Sequence, residues 1–143
     1  MLGLSHRNGK YFYSIFHNPV SRVMKSELFI KYFKLIDKRT SVLDYGSGDG
    51  PYKNMLSESF DQYVAADYQV TNAHHSVRPD ITINENQKVN VDDKSFSCVV
   101  ISEVLEHVYK LHDALQEISR VLIPNGFVIG TVPLFYVGTR KTV

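Results

Sequence analysis

Residues 42–52 read Val-Leu-Asp-Tyr-Gly-Ser-Gly-Asp-Gly-Pro-Tyr, and no other segment restricts the fold as tightly. A short apolar stretch ends at an acid, glycines follow at alternate positions (Gly46, Gly48, Gly50), and Pro51 suits the first turn of a helix. Glycine lets a chain turn sharply and approach a ligand without Cβ interference. A helix starting there aims unpaired N–H groups at a polar or anionic group. The spacing is G-x-G-x-G. The dinucleotide pattern G-x-G-x-x-G is poorly matched, because its last position is Pro51, and the P-loop pattern fails on both spacing and lysine. Taken alone, the triplet is equally consistent with a structural tight turn.

Around this loop the chain alternates helix and strand. Asn18-Pro19 predicts a helix start, and the helix should run to about Lys38 on Val20, Val23, Met24, Leu28, Phe33 and Ile36. Ser41–Asp44 predicts a strand, and Pro51 to about Ser59 a helix that buries Tyr52, Met55 and Leu56. Tyr63–Ala66 predicts a strand ending at Asp67, Ile81–Ile83 a weaker one, and Ser97–Ile101 one apolar enough to be buried on both faces. A helix is expected over about His112–Leu122, with Leu111, Leu115, Ile118 and Leu122 on one stripe. Pro124-Asn125-Gly126 should be a turn, with a fifth strand over Phe127–Val132. Such alternation argues a mostly parallel sheet covered by helices, in one domain.

Composition narrows the class further. With aromatics at 12% and a net charge of +1, disorder is excluded, and the single Cys98 excludes a disulfide framework. No apolar run is long enough for a membrane helix and no signal peptide is visible, so a soluble cytoplasmic protein is expected. Residues 1–40 hold eight basic and two acidic side chains, whereas the rest holds eight and thirteen. This basic region also carries Tyr11, Phe12, Tyr13 and Phe16 and is expected to be helical; a solvated face is favoured over nucleic-acid binding. His74-His75 lacks a third ligand at metal spacing, so no metal site is expected, and Cys98 reads as a core residue.

Asp67 lies 21 residues after Gly46, where a carboxylate can accept two hydrogen bonds from a ribose diol. Residues 92–108, DDKSFSCVVISEVLEHV, and 122–133, LIPNGFVIGTVP, follow in order. Together with VLDYGSGDG, these stretches resemble the class I S-adenosylmethionine-dependent methyltransferases, most closely the small-molecule branch, over Ser41–Pro133. The resemblance implies a Rossmann-like three-layer α-β-α sandwich with strand order 3-2-1-4-5-7-6. Five strands are legible here, so strands 6 and 7 are expected to be missing. That would leave the fifth strand as an exposed edge through which copies associate.

The resemblance also implies roles. Gly46, Ser47, Gly48 and Gly50 would pass the methionine moiety of the cofactor, Asp44 would orient its amino group, and Asp67 would hold the ribose. Tyr68 would pack on adenine or be an ordinary half-buried tyrosine. Glu85, with Asn84 as the neighbouring option, would approach the adenine amino group, although Lys88-Val89-Asn90-Val91 departs from the family's usual apolar-Pro-aromatic stretch. Ser102 and Glu103 would sit where cofactor and acceptor meet. His107 is the candidate general base, with Glu103 and Glu106 as alternatives. The implied activity is methyl transfer to an O, N or C atom of a small molecule. The competing expectation is a truncated cofactor-binding or association module.

Overall fold

A computed structural model describes residues 4–7, 10–13, 19–68 and 77–132, with side chains from Arg22 onward. The elements, in chain order, are β1 (Leu4–Arg7), β2 (Lys10–Tyr13), α1 (Pro19–Phe33), β3 (Ser41–Tyr45), α2 (Lys53–Ser59), β4 (Gln62–Tyr68), β5 (Ile81–Ile83), β6 (Phe96–Ser102), a 3₁₀ turn (Leu105–His107), α3 (Leu111–Val121) and β7 (Leu122–Thr131). Strands β3 to β7 form one parallel sheet in the order β5-β4-β3-β6-β7. The expected α/β architecture is therefore present, and its first five strands stand in the family's order.

Every residue of β3 is buried, as are the first six of β6, because both strands are covered on two sides. Alternation divides their side chains. Leu43, Tyr45, Val99 and Ile101 join Ile118 and Val121 of α3 on one face. Val42, Cys98 and Val100 join Phe29, Phe33, Tyr52, Leu56 and Phe60 on the other. Burial pushes the Cys98 thiol up to about 12, in keeping with a core residue.

Four details depart from expectation. First, the N-terminal region is not helical throughout, since β1 and β2 form an antiparallel hairpin with Arg7 opposite Lys10. The sequence between them is Asn8-Gly9, the strongest two-residue hairpin signal, and it precedes the β-favouring Tyr11-Phe12-Tyr13. Second, α1 stops at Phe33, and its buried stripe is Phe29, Phe33 and then Ile36, while Val23, Met24 and Leu28 are exposed. Edge-to-face contacts of Phe29 with Tyr52 and of Phe33 with Phe60, at 5.3 and 5.0 Å between ring centroids, select that face.

Third, α3 buries Ala114, Glu117, Ile118 and Val121 and exposes Leu111 and Leu115. Glu117 is tolerated inside because its Oε1 accepts from Val89 N at 2.9 Å and both carboxylate oxygens accept from the Arg120 guanidinium. Burial pushes the Glu117 carboxyl up, but the Arg120 and Val89 hydrogen bonds outweigh it and hold the group below its ordinary value. Arg120 also donates to Val89 O, Val91 O and Asp93 Oδ1, which fastens the β5–β6 connection to α3. Fourth, Pro124-Asn125-Gly126 is an internal bulge of a longer strand. Phe96 pairs with Leu122 and Cys98 already pairs with Phe127, so the extra residues loop out and pairing resumes.

Asn18, His74-His75 and the segment from Pro133 onward, including Phe135-Tyr136-Val137, lie outside the described residues. Among the described residues no helix is long and apolar enough to cross a membrane.

Candidate active site

The strand order reverses between β3, which leads outward through β4 to β5, and β6, which leads the other way to β7. Ligands of open α/β sheets bind at the carboxyl ends of strands at such a switch point. The glycine loop leaves β3 there. Its first two N–H groups, of Gly46 and Ser47, both donate to Ala66 O of β4, at 2.8 and 3.0 Å. All three glycines have positive φ (80°, 53° and 67°), which an L side chain adopts only at a cost.

The glycines serve different ends. A Cβ on Gly46 would lie 2.4 Å from Val104 Cγ2, so this residue lets the loop pack on the segment that follows β6. A Cβ on Gly48 would meet nothing within 4 Å, so open space lies over this backbone. Beside that space stands Asp67, whose Oδ2 accepts from Gly48 N at 2.6 Å and whose Oδ1 accepts from Tyr68 N at 2.7 Å. Each carboxylate oxygen retains further acceptor capacity.

Asp44 is buried on the α1/α2 side of β3 and accepts a hydrogen bond from the Tyr63 hydroxyl at 3.1 Å. Burial raises its pKa to about 6; the Tyr63 bond opposes the rise and the Asp67 charge adds to it. Tyr68 takes the opposite side of β4 from Asp67. Its ring packs against the α3-side core, and its hydroxyl hydrogen-bonds the Gln87 side chain, to which Tyr45 also donates. Gln87 itself is buried with φ 64°, and no local sequence signal marks it as the bridge between two strand tyrosines.

After β5, the Asn84 side chain accepts from the N–H groups of Asn86 and Lys88 and so shapes the loop, with Glu85 exposed beside it. A cleft of about 450 Å³ lies between this loop and α3, lined by Asn86, Lys88, Asp113, Gln116, Glu117 and Arg120. It contains none of the residues expected at the site.

At the end of β6, Ser102 Oγ and Thr131 Oγ1 are hydrogen-bonded at 2.9 Å. Glu103 turns into the left-handed region (φ 58°), donates its N–H to Thr131 O and pairs with Lys25 of α1 at 3.3 Å. Glu103 and Glu106, the alternative candidates for the base, are largely buried: their side chains are only 20% and 11% exposed. Glu106 Oε2 is buried with no hydrogen-bond partner among the described residues. His107 is 61% exposed, with Nε2 3.8 Å from Glu106 Oε1. The structure therefore brings Asp44, the glycines, Asp67 and Glu103 to one edge of the sheet, whereas Tyr68 takes the other face and Glu85 and His107 face solvent. Lys25 escaped sequence reasoning because nothing local ties a helix lysine to a strand end 78 positions later. Among the described residues no cluster of His, Cys, Asp or Glu is arranged to hold a metal.

A glycine loop, an acid at the next strand end and a switch point between them define an open α/β fold whose candidate ligand site lies at the carboxyl ends of β3 and β4. Residues 43–130 match the family model described as a methyltransferase domain, and the chain belongs to that family. Solved structures share the fold. The PH0226 protein from Pyrococcus horikoshii is 23% identical with a TM-score of 0.60 over 78% of this chain and 54% of its own. The YcgJ protein from Bacillus subtilis is 20% identical with a TM-score of 0.58 over 73% and 50%. An S-adenosylmethionine-dependent methyltransferase from Aquifex aeolicus is 21% identical with a TM-score of 0.56 over 75% and 63%. The chain spans about half the length of most of the structures it matches. A search of curated proteins gave no match.

Proposed function

We propose that this chain carries the cofactor site of a cytoplasmic S-adenosylmethionine-dependent methyltransferase acting on an O, N or C atom of a small molecule. The observation that carries the reading is the open space over Gly48 with the Asp67 carboxylate fixed beside it. This is a cradle that a Cβ would fill, next to an acceptor for a ribose diol. When bound, the cofactor supplies a methyl group already activated on a sulfonium.

The chain's own residues then have positional work. Gly46, Ser47, Gly48 and Gly50 present backbone to the methionine part, Asp67 holds the ribose hydroxyls, and Asp44 faces the amino group. Glu85 borders the adenine end, Tyr68 braces the end of β4 from the α3 side, and Ser102 and Glu103 stand where the acceptor arrives. Holding the two reactants in line supplies much of the rate. His107, or the better buried Glu106, takes the acceptor's proton when that acceptor is a hydroxyl or a protonated amine. Titration calorimetry with S-adenosylhomocysteine tests the reading, and absence of binding at millimolar ligand ends it.

The raised pKa of Asp44 gives this reading a pH signature. Between about 3.8 and 6 the native state holds a proton that the unfolded chain has released, so this group favours the native state more as pH falls through that window. An approaching ammonium demands the opposite, the carboxylate. Affinity for S-adenosylhomocysteine should therefore fall below pH 6, approaching tenfold per pH unit, with a proton released on binding. Asp44→Asn should flatten the profile. A wild-type profile that is flat from pH 5 to 8 (roughly the range in which such a carboxyl changes charge) would remove Asp44 from the amino-group position.

One observation favours the association reading as well. β7 ends the sheet, carries exposed Phe127 and Val128 with exposed Val132 just after it, and has no strand on its outer edge among the described residues. An apolar edge of this kind recruits another strand. Sedimentation should show a dimer that Val128→Lys returns to monomer. A wild-type monomer at concentrations of tens of micromolar (a range typical of weak pairing, about 6–7 kcal/mol) contradicts association through β7.

A further inference from the structure

We propose that Lys25 is an anion-recognising position at the end of β6, and that the methyl acceptor carries a carboxylate or phosphate held there. This rests on the methyltransferase reading. The inward stripe of α1 is apolar over its later turns. Read backwards from Ile36, just past the helix, it runs Phe33, Phe29 and the largely buried Lys25, at helical spacings of three or four. Phe33 packs on Phe60, which precedes β4, and Phe29 packs on Tyr52, which follows the glycine loop. The helix therefore runs from the carboxyl edge of the sheet towards its amino edge. One turn before Phe29 the stripe changes from apolar to cationic, where it reaches the carboxyl edge.

There the Lys25 ammonium meets Glu103 at 3.3 Å, with only 16% of its side chain exposed. Glu103 is held in a left-handed conformation by its N–H bond to Thr131 O, and the next residue, Val104, abuts Gly46. Lys25 thus stands beside the ligand loop, away from the open flank of the helix. A largely buried ion pair roughly breaks even against apolar packing, so fold stability does not account for a lysine here. An ammonium has three donors, and the one described partner leaves capacity for a second anion. The other charges at this edge, Asp44, Asp67, Glu103 and Glu106, are carboxylates that would repel an anionic acceptor. Lys25 offsets them locally, and exposed Arg22, one turn outward, extends the positive line towards solvent.

The test uses the full chain saturated with S-adenosylhomocysteine, with inorganic phosphate and acetate as probes. The Lys25 side-chain NMR signal, assigned by its loss in Lys25→Met, should shift saturably with at least one probe. Arg22→Met should weaken that binding by about threefold, the scale of one exposed charge. Lys25→Met should leave affinity for S-adenosylhomocysteine within about threefold, less than the effect of losing a charge-assisted bond. If S-adenosylhomocysteine binds wild type and neither probe moves the Lys25 signal, the proposal falls while the methyltransferase reading stands. If S-adenosylhomocysteine does not bind wild type, the methyltransferase reading falls first. A Lys25→Met loss of tenfold or more (about 1.4 kcal/mol) for S-adenosylhomocysteine, with none for 5′-methylthioadenosine, which lacks the amino-acid part, overturns the acceptor assignment. It would place the anion on the cofactor.

Discussion

Gly46→Ala should cost the protein about 3 kcal/mol, the sum of an overpacked contact and a left-handed backbone at a residue with a Cβ. The new methyl would sit 2.4 and 2.8 Å from the two γ-carbons of Val104 and 3.1 Å from its Cβ, at a backbone φ of 80°. Val104 belongs to the α3-side core, so its retreat would disturb packing there. Against a total stability of about 5–15 kcal/mol, this is a large fraction. Urea unfolding of Gly46→Ala, Val104→Ala and the double variant measures it. Because the clash is with the γ-carbons, the double variant should be less destabilised than the two single changes added together. Strict additivity would show that the two residues do not meet. Gly48→Ala is the contrast. It has open space around it and should cost only about 1–2 kcal/mol, for its backbone conformation. On the proposed function it should nevertheless weaken S-adenosylhomocysteine, because the methyl enters the open space over the loop.

Asp67→Ala should weaken S-adenosylhomocysteine about 100-fold, equivalent to one or two charge-assisted hydrogen bonds. The carboxylate already accepts from Gly48 N and Tyr68 N, so it pins the loop, and in the proposed site its remaining lone pairs would take the ribose diol. Calorimetry on wild type, Asp67→Asn and Asp67→Ala separates these. The amide can still accept at one atom and should lose about tenfold, whereas the alanine loses both functions. Melting temperature should fall less in relative terms than affinity, since Gly46 N and Ser47 N remain bonded to Ala66 O. An alanine variant that binds within threefold of wild type (under 1 kcal/mol) would take Asp67 out of the site.

Much of the fold was legible because its signals are local. The acid, the three glycines and Pro51 mark a strand-to-helix turn by their own conformational preferences. Ser97–Ile101 is apolar without alternation, as a strand covered on both faces must be. Asn8-Gly9 is an equally local hairpin signal, set in a basic, aromatic segment whose charge pattern also fits a solvated helix. The faces of α1 and α3 were not legible in the same way. Both helices carry more apolar positions than one face can bury: Val23, Met24 and Leu28 compete with Phe29 and Phe33, and Leu111 and Leu115 with Ala114 and Val121. Periodicity identifies a stripe only when the others are polar.

The sequence by itself determined the parallel α/β architecture, the glycine loop at the end of β3 and the acid at the end of β4, because turn chemistry and strand burial act within a few residues. Only the tertiary structure decided which glycine abuts the core and which faces open space, that Gln87 joins Tyr45 to Tyr68, that Glu117 lies buried on Arg120, and that Lys25 meets Glu103. Apart from the neighbouring turns of α3 that pair Glu117 with Arg120, each of these is a contact between segments far apart in the chain. Its energy depends on distance and burial, which exist only once the sheet has ordered its strands.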